Sequence, residues 1–157
     1  MPRVICHLDL ADADATARLG QAFADRLDAG DVLLLDGQIG AGKTHFARAL
    51  IQSLMDRPED VPSPTFTLVQ TYEIDRGSIW HADLYRLTSV HEVEELGLIE
   101  AFDTAICLVE WPDRLGELWP KDALHLRMEP GVTDMAREVT LVWNAGRWGD
   151  LLQGLAA

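Results

Sequence analysis

The chain carries one glycine-rich segment whose spacing limits what the surrounding residues can form. A glycine is followed by four residues and then by Gly-Lys-Thr, in the order Gly37-Gln38-Ile39-Gly40-Ala41-Gly42-Lys43-Thr44. The residues before it, 31–36, form an evenly apolar run that is typical of a buried strand. The residues after it, from Lys43 to about Met55, are predicted to form a helix. A strand, a glycine loop and a helix in this order are the context that a phosphate-binding loop requires.

The chemistry of this P-loop pattern depends on its spacing. Glycines allow backbone N–H groups to turn inward around phosphate oxygens, because no side chain blocks the approach. The following helix directs the positive end of its dipole at the same anion. We expect Lys43 to reach the β- and γ-phosphates of a nucleotide and Thr44 to ligate Mg2+. A chance glycine turn is the alternative, but the lysine position holds one of only two lysines in the chain.

Two acidic residues close predicted strands and are candidates for the metal side of such a site. A P-loop enzyme needs a carboxylate at the end of a neighbouring strand to hold Mg2+, directly or through water. Glu110 closes the apolar run 105–109 and fits that role, and Asp83 closes another predicted strand. Either acid could also orient the attacking water, and the sequence leaves that choice open. The alternatives are a solvated acid at a strand end for Glu110 and a cap or turn acid for Asp83.

The identity of the nucleotide base is predicted from the absence of a guanine-recognition segment. GTPases of this kind recognise guanine with an Asn-Lys-x-Asp segment. Here the only asparagine is Asn144 and the only lysine besides Lys43 is Lys121, so that segment is absent. We therefore expect ATP, with Mg2+, as the ligand.

The remaining segments alternate between helix and strand patterns and predict an α/β fold. Strands are expected over the apolar or alternating segments 4–8, 67–74, 79–83, 105–110, 124–129 and 137–143, with hairpins at 75–78 and at Pro130-Gly131. Helices are expected from Asp12 or Asp14 to Gly30, from Ser89 to about Gly97 and over 147–155. Prolines exclude a helix from the loop 58–64. We expect a single P-loop NTPase domain over residues 1–157, with a mixed parallel and antiparallel sheet flanked by helices.

Composition excludes several classes of protein. The net charge of −13 argues against nonspecific binding to nucleic acid through a basic field. The chain shows no targeting or membrane-spanning segment and has only two cysteines, so a reduced, cytoplasmic location is expected. Its five histidines lack the spacing of a zinc site, and neither cysteine has a neighbouring basic activator.

Five segments of the chain occur in a distinctive order. They are Gly37 to Thr44, Ser63-Pro64-Thr65-Phe66-Thr67, His81-Ala82-Asp83-Leu84-Tyr85-Arg86-Leu87, Glu94-Glu95-Leu96-Gly97 and Val109-Glu110-Trp111-Pro112. This order resembles that of the TsaE (YjeE) family, bacterial ATPases of tRNA threonylcarbamoyladenosine biosynthesis. The resemblance spans nearly the whole chain. Many families share a P-loop, but this order of segments is highly specific.

The resemblance implies roles for individual residues. The segment containing Thr65 resembles the family's switch-like loop near the γ-phosphate, while Asp83, Glu110 and Trp111 match the family's acids and the tryptophan beside them. The base pocket is implied near Leu10 and Asp12, at Asp113 and at Arg137. In place of the second threonine found in many relatives, this chain has His45, which leaves only backbone contacts expected at that position.

The resemblance also implies a partner-dependent activity. Proteins of this family join the TsaD–TsaB complex, in which TsaD transfers the threonylcarbamoyl group to adenosine beside the anticodon. ATP use by the TsaE-like subunit is thought to reset that complex, so tRNA is met only indirectly. Two further hypotheses remain at this point, a small-molecule kinase and a nucleotide-sensing module without turnover. The acidic stretch 91–95 is expected either to face the partner or to form a solvated helix surface.

Overall fold

The computed structural model describes residues 4–38, 41–57, 59–64, 67–144 and 146–156. Within these ranges the strands are β1 (Val4–Leu10), β2 (Val32–Asp36), β3 (Val69–Ile74), β4 (Gly77–Asp83), β5 (Ile106–Glu110), β6 (Leu124–Pro130) and β7 (Arg137–Trp143). The helices are α1 (Ala13–Ala24), α2 (Lys43–Leu54), α3 (Val90–Glu95), α4 (Leu98–Thr104) and α5 (Gly146–Ala156), with 3-10 turns over Pro112–Leu118. No helix in the described part of the chain is long and apolar enough to cross a membrane.

The strands form one mixed sheet in the order β1-β7-β6-β2-β5-β4-β3. The four central strands β6, β2, β5 and β4 are parallel, while β3 pairs antiparallel with β4, and β7 pairs antiparallel with β6 and β1. The expected mixed sheet flanked by helices is confirmed. Because the central strands are parallel, the carboxyl ends of β2, β5 and β4 meet at one edge of the sheet.

Helices cover both faces of the sheet, because the apolar side chains of β2 point alternately to each face. Leu33 and Leu35 belong to a core shared with α1, α2 and α5, whereas Val32 and Leu34 belong to a second core shared with α3 and α4. Successive side chains of a strand point to opposite faces, so an evenly apolar strand needs a covering layer on each side.

Short-range signals place several boundaries where the sequence predicts them. The carboxylate of Asp12 accepts a hydrogen bond from the Ala15 backbone at 2.8 Å and caps α1. The Ser89 hydroxyl accepts from the Glu92 backbone at 3.4 Å and caps α3. Both predicted hairpins are confirmed.

Two helical predictions differ from the structure. Helix α1 ends at Ala24, not near Gly30. The carbonyls of Ala24 and Leu27, which have no partner within the helix, accept hydrogen bonds from the Arg76 guanidinium. Helix α4 was not predicted, since Gly97 marks the end of α3 in sequence. With φ of +78°, Gly97 both ends α3 and leads directly into α4.

Candidate functional site

A cleft of about 530 Å³ lies at the edge of the sheet where the parallel strands end. The starts of α1 and α2, the residues that end or follow β4 and β5, and the connection from β6 to β7 form its walls. Eight of the residues predicted from sequence line it, namely Gly42, Lys43, Thr44, His45, Asp83, Glu110, Trp111 and Arg137. The fold therefore brings together groups that lie far apart along the chain.

The glycine loop approaches neighbouring backbone closely at its first residue. A Cβ atom at Gly37 would lie 2.5 Å from the carbonyl oxygen of Met128, and its φ of +149° is one that side chains rarely allow. At the other end, Gly42 has φ of +98° and precedes α2. The backbone of Ala41 donates to the carbonyl of Gln38 at 3.0 Å. Ile39 and Gly40 lie outside the described residues, as does Thr65.

Lys43 is buried at the first position of α2. Its Nζ donates to the carbonyl of Gly37 at 2.6 Å and lies 3.6 Å from the centroid of the Trp111 ring. Burial lowers the pKa of Lys43, and the carboxylates of Glu110, Asp83, Asp36 and Asp113 offset part of this effect, with Glu110 contributing most. The site therefore combines one buried cation with an excess of carboxylates.

Thr44 and Glu110 meet directly at the floor of the cleft. The Thr44 hydroxyl lies 2.9 and 3.1 Å from the two carboxylate oxygens of Glu110. The other face of this carboxylate contacts His81, whose Nε2 is 2.7 Å from Oε2. Glu110 is 2% exposed and His81 is fully buried. A hydroxyl and a carboxylate held together in this way are both oxygen donors, which is the ligand type that Mg2+ prefers.

Asp83 occupies the matching position on the next strand. It pairs in register with Glu110, and its side chain is buried. Its Oδ1 accepts from the backbone of Tyr85 at 3.0 Å, while its own backbone N–H donates to the carbonyl of Leu68. The two predicted acids therefore stand side by side at the ends of neighbouring parallel strands.

Two aromatic rings form the wall beside Lys43. The rings of Tyr85 and Trp111 lie 4.7 Å apart between centroids. Trp111 has φ of +59° and ψ of +55°, a left-handed conformation that is strained for a bulky residue. Trp111 adopts this backbone conformation immediately after β5, and its indole ring lies against Lys43.

Arg137 joins the glycine loop to the β6–β7 connection. Its Nε donates to the carbonyl of Ala41 at 2.8 Å, and its Nη1 donates to the carbonyls of Asp134 and Ala136 at 2.8 and 2.7 Å. Arg137 lies in the wall of the cleft at the start of β7, and its place in the base pocket stays a prediction.

Several predicted residues do not line the cleft itself. Asp12 caps α1 next to the cleft residue Ala13, and Gly37, Gln38 and Ala41 form the described part of the loop behind it. Asp113 is exposed, lies 3.3 Å from Arg114 and reaches the site only through its charge effect on Lys43. His45 does line the cleft, and its Nε2 lies 3.0 Å from the carbonyl of Ala13.

Five residues of the site are not among those predicted from sequence. Ala13, Thr16, Tyr85 and Met135 line the cleft, and His81 lies behind Glu110. The signal for His81 is its place two residues before Asp83 in a strand, which puts both side chains on the same face of the sheet. Nothing comparable marks Met135, which lies in the connection between two strands.

The fold and the site together define an α/β protein with a mixed seven-strand sheet, flanked by helices and carrying a glycine-loop cleft at one edge. The family described as "Threonylcarbamoyl adenosine biosynthesis protein TsaE" matches residues 10–139. The chain belongs to this TsaE family.

Relatives and a solved structure agree with that assignment. The Rickettsia felis tRNA threonylcarbamoyladenosine biosynthesis protein TsaE is 37% identical over 122 residues, which are 78% of this chain and 71% of the relative. The Bacillus subtilis protein of the same name is 36% identical over 146 residues, 92% of this chain and 88% of the relative. The crystal structure of Bacillus subtilis YdiB superposes with a TM-score of 0.81 at 27% identity, covering 99% of this chain and 97% of that one.

Proposed function

We propose that this chain is a P-loop ATPase that acts as an accessory subunit in the threonylcarbamoylation of tRNA adenosine. The observation that carries this proposal is the contact between the Thr44 hydroxyl and the Glu110 carboxylate, 2.9 Å apart beside the buried Lys43. A hydroxyl at the start of a helix, a strand-end carboxylate and a loop lysine are the three side chains that a P-loop uses on a nucleotide and its metal. The pathway is that of the TsaE family to which the chain belongs.

The phosphates of the nucleotide would be held by the loop from Gly37 to Thr44. Its backbone N–H groups and the positive end of α2 would attract them, and Lys43 would exchange its contact with the Gly37 carbonyl for the β- and γ-phosphate oxygens. The base would lie toward the starts of α1 and β7, where His45 and Arg137 form the wall of the cleft. ATP is proposed over GTP because the chain has no Asn-Lys-x-Asp segment.

The donor set at the cleft floor fits Mg2+. Among the described residues no group of three or more His, Cys, Asp or Glu side chains could hold a metal by itself. Mg2+ does not need one, because it is commonly bound by one or two carboxylates together with substrate phosphates and water. Thr44 and Glu110 would hold it, with Asp83 acting directly or through water. Bound there, Mg2+ would neutralise charge on the phosphates.

The transfer of the threonylcarbamoyl group would occur elsewhere. We propose that this chain joins a TsaD–TsaB complex, whose TsaD subunit carries out the transfer, and that ATP binding and hydrolysis reset the complex between turnovers. The net charge of −13 fits a protein that meets tRNA only through that complex.

The test is ATP hydrolysis by the purified chain, measured alone and with TsaD–TsaB and tRNA. We expect slow hydrolysis by the chain alone and a higher rate with the complex. Lys43→Ala is expected to reduce both rates on the order of 100-fold or more, because it removes a cation from the transition-state charge. Lys121→Ala is the matched control, since it removes the chain's other lysine, which is exposed and outside the cleft. A rate that does not respond to the complex would contradict the accessory role, and full activity in Lys43→Ala would contradict the P-loop assignment.

A further inference from the structure

Behind the carboxylate of Glu110 lies a histidine that no part of the proposed chemistry uses. The His81 side chain is fully buried, and its Nε2 is 2.7 Å from the Oε2 atom of Glu110. Burying a polar side chain without a hydrogen bond costs free energy, so a fully buried histidine needs a hydrogen-bond partner to be tolerated there.

The contact follows from the register of two parallel strands. His81 pairs with Leu108 and Asp83 pairs with Glu110, so His81 lies on the neighbouring strand two residues before the position opposite Glu110. Alternation places His81, Asp83 and Glu110 on the same face of the sheet, toward α2 and Thr44. The backbone of Glu110 is fixed as well, because its carbonyl accepts from the Leu84 backbone at 3.1 Å.

The contact requires a proton on Nε2. An ionised carboxylate can only accept a hydrogen bond, so Nε2–H is the donor to Glu110. The Nδ1 atom of His81 is buried and has no hydrogen-bond partner among the described residues. Nε2 is therefore the nitrogen through which His81 acts on Glu110.

We propose that His81 is a positioning residue that orients the Glu110 carboxylate for its role on the metal side of the site. This inference rests on the proposed function. The carboxylate has two other attractions, the Thr44 hydroxyl and the charge of Lys43. Thr44 has to give its oxygen to the metal when it acts as a ligand, so its contact with Glu110 is not permanent. Among the described residues that contact Glu110, His81 lies on a central strand and offers a contact that need not change when the metal binds.

The direct test is the Mg2+ dependence of nucleotide binding, measured with a fluorescent, non-hydrolysable ATP analogue. His81→Leu removes the hydrogen-bond donor and fills its buried site with an apolar side chain. We expect it to raise the Mg2+ concentration at half-maximal binding about tenfold, which is the usual effect of losing a group that orients a metal ligand. His81→Gln is expected to recover most of the difference, because its amide nitrogen can donate to Glu110 from a similar position.

His125→Leu is the matched control. The Nε2 of His125 lies 3.2 Å from the Oδ2 of Asp36, so this variant also removes a histidine–carboxylate contact between neighbouring strands, but one that does not involve Glu110. We expect it to lower the melting temperature without moving the Mg2+ midpoint. An equal shift of the midpoint in both leucine variants would overturn the proposal, and so would an unchanged midpoint in His81→Leu. Failure of the wild-type chain to bind the analogue at any Mg2+ concentration would instead overturn the proposed function.

A second measurement needs neither metal nor nucleotide. The nitrogen-15 chemical shifts of the His81 ring in the free protein report which nitrogen carries the proton. We expect a protonated Nε2, because this nitrogen has to donate to Glu110. An unprotonated Nε2 would overturn the proposal even if the variants lost nucleotide binding.

Discussion

Two regions of the sheet contribute to the cleft in different ways: the parallel strands β2, β5 and β4, called here the parallel half, and the antiparallel strands β6, β7 and β1, called the antiparallel half. The parallel half supplies Asp83 and Glu110, which are 5% and 2% exposed and are held by hydrogen bonds. The antiparallel half supplies the connection between β6 and β7, where Met135 is 53% exposed and Val132 is 98% exposed. The Arg137 side chain joins this connection to the glycine loop through its hydrogen bonds with Ala41 and Asp134.

This difference separates buried groups from exposed ones. Buried charges in a fixed register cannot move far without losing their partners, so they suit a role in which a fraction of an ångström matters. The connection between β6 and β7 exposes its apolar tips, its turn is closed by a hydrogen bond from the Gly131 backbone to the Ala136 carbonyl, and Arg137 ties it to the glycine loop. Substitutions in the parallel half should therefore affect hydrolysis, and those in the antiparallel half should affect affinity.

The largest expected effect is that of Glu110→Gln. The amide keeps the volume and can still contact His81, but it loses the charge that a metal ligand needs. We expect the rate of ATP hydrolysis at saturating Mg2+ to fall about 100-fold or more, while nucleotide binding in the absence of metal changes little. Glu129→Gln, which neutralises an exposed acid near the end of β6, serves as the matched control. If hydrolysis persisted in Glu110→Gln, the parallel half would not be the catalytic side of the cleft.

An intermediate effect is expected from Arg137→Met, which retains the apolar stem and removes the guanidinium. The variant loses three hydrogen bonds to the carbonyls of Ala41, Asp134 and Ala136, so the end of the glycine loop is no longer tied to the β6–β7 connection. We expect nucleotide affinity to fall about tenfold, as the loss of hydrogen bonds from a charged donor implies. Equilibrium titration with a fluorescent nucleotide measures it, with Arg127→Met on the solvent-exposed face of β6 as control. A decrease in the hydrolysis rate at saturating nucleotide, without a change in affinity, would erase the distinction between the two halves.

The features predicted from sequence are those that depend on spacing along the chain. The loop from Gly37 to Thr44, the cap at Asp12 and the two hairpins each involve residues within a few positions of one another. The meeting of Asp83 and Glu110 could also be predicted, because each closes an apolar run and the carboxyl ends of parallel strands meet at one edge of the sheet.

The features that were missed depend on pairing between distant segments. His81 and Glu110 are 29 residues apart, and only the register of β4 against β5 brings them to 2.7 Å. Arg76, in a turn 52 residues beyond Ala24, donates to the Ala24 carbonyl at the end of α1. The site of Met135 depends in the same way on how β7 returns beside β6. A single sequence records none of these registers.

The smallest expected effect concerns Lys43, where the two halves meet, and it is a change in stability with pH. Burial lowers the pKa of Lys43 from 10.5, so the folded protein binds fewer protons than the unfolded chain between the lowered value and 10.5. Stability associated with this group therefore rises with pH through that window, and below it the full cost of burying the charge is present.

Lys43→Met removes the cost, so the nucleotide-free variant should melt at a higher temperature than the wild type at pH 7, by about 2–4 °C if the cost is ~1 kcal/mol. The difference should shrink as the pH approaches 10.5. Thermal melting at several pH values measures it, and Lys121→Met, at the exposed lysine, should follow the wild type throughout. A Lys43→Met variant less stable than the wild type at pH 7 would mean that the contacts with Gly37 and Trp111 outweigh burial, and that the lysine stabilises the empty site.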